Sequence, residues 1–91
     1  MQKPLVTIEN WAVVQSVVSA KYEELQPGKH LMGNVFGHAS LPEAVFIFTS
    51  PILNVNAISG QVETRNTMYR LGEASDTYKS WIHDRERETA A

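Results

Sequence analysis

Between residues 11 and 25 the large apolar side chains fall at Trp11, Val13, Val14, Val17, Val18, Tyr22 and Leu25, and spacings of three and four put most of them on one helical face. Asn10 can cap such a helix by accepting a bond from a free amide of its first turn, and Pro27-Gly28 would stop it. The pattern therefore predicts a helix over residues 10–25. The four valines weigh against it, because branched β-carbons lower helix propensity, and Val13-x-Gln15-x-Val17 also reads as a strand.

After Gln26-Pro27-Gly28-Lys29 the pattern changes to short runs of β-branched and aromatic residues set off by Gly, Pro, Asn and Ser. These runs predict strands at Leu31 to Phe36, Glu43 to Thr49, Ile52 to Ile58, Gly60 to Thr64 and Thr67 to Leu71. Gly37 and Pro42 bracket one loop, Ser50-Pro51 breaks the run after Thr49, Ser59-Gly60 reads as a tight turn, and Arg65-Asn66 can supply the left-handed residue of a hairpin. Connections this short suit antiparallel neighbours and leave no room for helical crossovers. A last helix is predicted over 75–88. Ser75 or Asp76 can cap it, Tyr78, Trp81, Ile82 and Arg85 share one side, and Asp84 to Glu88 alternate in sign on the solvated side. The expected fold is α+β in a single domain spanning 1–91: an N-terminal helix, a five-stranded antiparallel sheet curled toward an SH3-like small barrel, and a C-terminal helix.

Composition adds exclusions. The chain has 91 residues, 43% of them hydrophobic and 20% charged, which is ordinary for a domain folding in water. Eight Lys plus Arg against 10 Asp plus Glu leave a net charge of -2, too little positive charge for generic phosphate gripping. Without cysteine there is no disulfide, thiolate metal site or cysteine nucleophile. The longest nearly apolar stretch, Ala44 to Phe48, is far short of the ~20 residues of a membrane span, and no targeting signal is visible. By elimination, the expected location is the cytoplasm.

Candidate chemistry is sparse. His30 and His38 flank one predicted strand and should lie at its opposite ends, and His83 has Arg87 rather than a ligand at i+4, so surface histidine is the better reading of all three. Glu43, Glu63 and Glu73 are the carboxylates placed for acid-base work. Glu63 reads as a solubilising strand residue, and Glu73 as a favourable charge near the start of the last helix. No Gly-x-Ser-x-Gly occurs, and glycines 28, 33, 37, 60 and 72 form no phosphate loop. Catalytic, cofactor and metal residues are therefore expected to be none. Phe36, Phe46, Phe48 and Tyr69 lie on predicted strands, but strand 43–49 is apolar on both sides, so its aromatics read as core. Lys29, Arg65 and Arg70 are the cations of the strand region. Arg65 and Arg70 would carry a single-stranded nucleic-acid site if there is one.

At Thr49-Ser50-Pro51-Ile52, and again from Val62 to Glu73, the chain resembles small uncharacterised proteins carried by phages, prophages, plasmids and other mobile elements. They share a Thr-Ser-x-Ile … Thr-x-Asn-Thr-x-Tyr-x-Leu-Gly signature, and the likeness reaches back to Gly33-x-Val35-x-Gly37-His38, covering residues 31–73. The resemblance implies no activity. It implies an accessory gene of a phage, integron cassette or plasmid, for which modulating a host protein is a common role. Residue by residue the signature reads as a folding motif, with Asn66 in a turn and Tyr69 and Leu71 directed by alternation toward a core. The leading expectation is a non-enzymatic protein that works by protein-protein contact and forms a homo-oligomer, with strand Ile52 to Ile58 or Leu31 to Phe36 available to extend a partner's sheet. A single-stranded nucleic-acid binder is the alternative, and a hydrolase with an unrecognised site a distant third.

Overall fold

The computed structural model describes residues 3–90, as six strands and one helix. The strands are β1 (Leu5–Val14), β2 (His30–Phe36), β3 (Val45–Phe48), β4 (Asn54–Asn56), β5 (Gln61–Glu63) and β6 (Met68–Leu71), and the helix is α1 (Asp76–Ala90).

The N-terminal helix expected over 10–25 is replaced by the longest strand of the fold. β1 begins with plain alternation, Val6 and Ile8 buried and Leu5 exposed. At Asn10 the backbone takes a positive φ of 54°, and the register with β2 slips between Glu9 and Ala12 by one extra residue on β1. This is a β-bulge, and it shifts the inward phase of the strand. Apolar residues at 11, 13 and 14 consequently imitate helical spacing, and Asn10 serves the bulge rather than a cap. Beyond Val14 the chain reverses. The Ser16 amide donates to the Ser19 carbonyl (3.1 Å) and the Ser19 amide to Ser16 Oγ (2.9 Å), leaving Val18 99% exposed at the tip instead of on a buried helical face. Residues 21–23 then return along β1, with the Gln15 amide donating to the Lys21 carbonyl and the Glu23 amide to the Val13 carbonyl, each at 2.9 Å.

The sheet runs β3-β2-β1-β6-β5-β4. Chain neighbours other than β3 and β4 pair antiparallel, but β1 and β6 pair in parallel from Leu5↔Met68 to Ile8↔Leu71. The five-stranded antiparallel expectation is thus corrected to a six-stranded mixed sheet. Short connections exclude parallel pairing only between consecutive strands; β1 and β6 are separated by the whole β2 to β5 region.

The two outermost strands, β3 and β4, are consecutive in the chain and joined by residues 49–53. Six flat strands would set them ~24 Å apart at ~4.8 Å per gap. The linker instead ties both halves of the sheet within two residues: the Ile52 amide donates to the Lys29 carbonyl (2.7 Å), and the Leu53 amide to the Glu63 carbonyl (2.8 Å). The sheet therefore curls until its inner face closes on itself. Val6, Ile8, Val13, Leu31, Val35, Val62 and Tyr69 are buried there, with Ile52 of the linker among them. Because β3 and β4 do not pair with each other, the sheet remains open and the SH3-like barrel is not formed.

Helix α1 is capped by Ser75, whose Oγ accepts the Tyr78 amide (3.2 Å). Tyr78 is buried, Trp81 and Ile82 are half-buried, and the Tyr78 ring lies 5.6 Å from that of Trp11 at the bulge. The turn expected to use a left-handed residue at Arg65-Asn66 does not, since among the described non-glycine residues only Asn10 and Ala44 have positive φ. It is closed by Thr64 and Thr67, with the Thr64 amide donating to the Thr67 carbonyl at 2.9 Å.

Gly33 faces the bulge from β2. A Cβ there would sit 2.9 Å from the Glu9 carbonyl oxygen, 2.9 Å from Ile8 Cγ1 and 3.0 Å from the Trp11 Cα, and two of these are backbone atoms that cannot swing away. Gly33→Ala is expected to cost about 2 to 3 kcal/mol, the upper range for overpacking, read as a lower denaturant midpoint; an unchanged midpoint would contradict the close approach.

Candidate functional site

Strand β3 carries the exposed aromatic surface. Val45 and Ile47 turn inward, while Phe46 and Phe48 are 47% and 39% exposed on the outer face, their rings edge to face at 5.7 Å and 83°. The expectation that both sides of strand 43–49 are covered is corrected here: the helix packs near β1, at the bulge, and nothing described covers the outer side of β3. Neighbours across β2 are Met32 beside Phe48 and Asn34 beside Phe46.

The backbone of β3 is as open as its side chains. Its register with β2 continues to Thr49, whose amide donates to the Leu31 carbonyl (2.8 Å). In an antiparallel ladder, bonded and non-bonded pairs alternate, so Ile47 exchanges bonds with Gly33 while Phe46 and Phe48 direct their N–H and C=O groups away from β2. A bulge opens the strand, since Ala44 and Val45 both stand opposite Val35, whose carbonyl accepts the Ala44 amide (2.8 Å), but no charge or proline interrupts Val45 to Phe48. Edges are usually blunted by such devices. The strand is held at its start by Ala44, which adopts a φ of 65°, by the Asn34 side-chain amide donating to the Ala44 carbonyl (2.9 Å), and by Glu43, which accepts the Gly37 amide (2.7 Å). At the other end of the sheet β4 is short. Asn56 Oδ1 accepts the Ile58 and Ser59 amides, both at 3.1 Å, which folds the chain into the Gly60 turn. Of the two strands expected to offer an edge, the one within Ile52 to Ile58 lies at one, whereas Leu31 to Phe36 is paired on both sides.

The side chains singled out for chemistry are not brought together. His30 Nδ1 donates to the Thr49 carbonyl (2.7 Å) at the start of β2, His38 Nδ1 accepts the Ser40 amide (3.0 Å) past its end, and His83 is exposed on α1. Among the described residues no group of three His, Cys, Asp or Glu side chains could hold a metal. Glu63 pairs with Lys3 (2.6 Å). Glu73 pairs with Lys79 (2.6 Å), and that hydrogen bond holds the Glu73 carboxyl below its usual range and the Lys79 amine above its own. Arg65 is exposed in the β5–β6 turn and Arg70 on the outer face of β6, separated from β3 by β2 and β1.

Two further surfaces lie along α1. One is an open apolar groove of about 270 Å³ between Trp11, Tyr78 and Ile82, with Lys79, His83 and Glu86 at its rim. The other, about 310 Å³, lies among Tyr22, Glu24, Trp81 and Arg85, where the Arg85 guanidinium sits 4.8 Å over the Trp81 ring and bonds Glu24 at 2.8 Å. The first lies where the bulge of β1 meets the helix, and the second belongs to the seam that fastens the 15–25 return to it. Tyr78 is central to that seam: its hydroxyl donates to the Glu23 carbonyl (2.6 Å), and its ring stands 5.3 Å from that of Tyr22. Glu9, which sequence spacing does not single out, and Trp11, which it places on a helix, matter here. Glu9 Oε1 accepts the Glu73 amide (2.7 Å) and Trp11 Nε1 donates to the Gly72 carbonyl (3.0 Å), joining the bulge to the end of β6.

Against family models, curated proteins and solved structures, the chain has no match. No helix among the described residues is long and apolar enough to cross a membrane.

Burial, reinforced by the Glu24 carboxylate, pushes the Tyr78 phenol from its ordinary value near 10 up to about 12. Burial also raises Tyr69, with a hydrogen bond from Thr67 opposing it. A raised acid favours the folded state only while it stays protonated there. The stability from Tyr78 is thus complete below pH 10 and lost as pH rises toward 12. Denaturation midpoints measured across that window should fall steeply, and less steeply in Tyr78→Phe, which should also lose about 1 kcal/mol at neutral pH with its hydrogen bond. Equal slopes for the two proteins would contradict the assignment.

Proposed function

We propose that this protein is a non-enzymatic binding protein that works by protein-protein contact through β3 and its outer face. The observation carrying this reading is the coincidence, on one strand, of two exposed phenylalanines with an unprotected backbone edge. Such a strand offers a partner main-chain bonds for affinity and ring contacts for specificity, the physics of β-strand addition. The absence of catalysis is part of the proposal. It is supported by the structural partners that occupy Glu43, Glu63, Glu73, His30 and His38. The resemblance to mobile-element proteins supports an accessory role in which the bound protein belongs to the host and is inhibited or modulated.

A second reading draws on the same two rings. Exposed aromatics on a sheet face can stack single-stranded bases, and Arg70 lies on that face. Lys3, Lys29, Lys79 and Arg85 are each paired with a carboxylate, however, which takes half of the eight Lys and Arg side chains away from a backbone of phosphates.

The tagged protein should retain a partner from host lysate when wild type and when carrying Ile58→Ser, a control at an exposed residue remote from β3. Phe46→Ser/Phe48→Ser should abolish retention at a cost of about 2 to 3 kcal/mol in stability, because each ring is about half-buried and the two pack on each other, and circular dichroism should show the variant folded. Retention unaffected by the double variant would reject the surface. Salt-sensitive oligonucleotide binding lost in Arg65→Ala/Arg70→Ala would favour the second reading.

A further inference from the structure

We draw no further inference here: the strongest candidate, the open apolar groove between the β1 bulge and α1 formed by Trp11, Tyr78 and Ile82, carries both signs of charge at its rim, Lys79 against Glu86, and nothing in the structure shows what covers it.

Discussion

The parallel contact between β1 and β6 holds this molecule together as one sheet. On one side of it lie β1, β2 and β3, on the other β6, β5 and β4, and each set is an antiparallel unit that could bury only one face. Joined along Leu5 to Ile8, they form a surface wide enough to curl, and the Thr49 to Leu53 linker fastens the curl from outside. The bulge at Asn10 makes the second half of β1 useful. It turns Trp11 toward Tyr78 and Gly72, so helix α1 has a ring to pack on while Val13 returns to the inner face. Gly33 is the condition for this, because only a residue without a Cβ lets β2 pass the bulge so closely.

One consequence is an asymmetry between the two edges. Putting β1 and β6 in the middle sends β3 and β4 to the outside, and the linker that connects them spends its bonds on Lys29, Leu31 and Glu63 rather than on either edge. At β4 the chain turns away within a few residues under the control of Asn56. At β3 only the entry is shaped in this way, by Ala44 and Val45 sharing Val35, and nothing blunts Phe46 to Phe48. A folded chain that leaves Phe46 and Phe48 beside open amides keeps a sticky edge that selection ordinarily removes. That is the physical ground for placing the protein's work there, and for treating the histidines and glutamates as parts of the scaffold.

Much of the β region could be read from residue types. Between 31 and 71, the β-branched and aromatic runs and their Gly, Pro and Asn boundaries mark strands that form within the same segments, shorter except for β2, which begins one residue earlier at His30, and Ser75 marks the entry to the helix. The N-terminal segment could not be read the same way. A single inserted residue changes a period of two into spacings of three and four, and no local propensity reveals that Trp11 faces a helix more than sixty residues later. The parallel pair was hidden for a related reason, since pairing between non-consecutive strands leaves no mark in the turns. Phe46 and Phe48 illustrate the limit for function. Their hydrophobicity implies cover, and only strand order shows that they stand at an edge.

Amide hydrogen exchange read residue by residue along β3 in dilute solution tests the central claim most directly. The Ile47 amide, bonded to β2, should be protected, whereas the Phe46 and Phe48 amides should exchange rapidly. Strong protection of Phe46 and Phe48 in dilute solution would mean that the edge is already covered within one chain, and the account would fail.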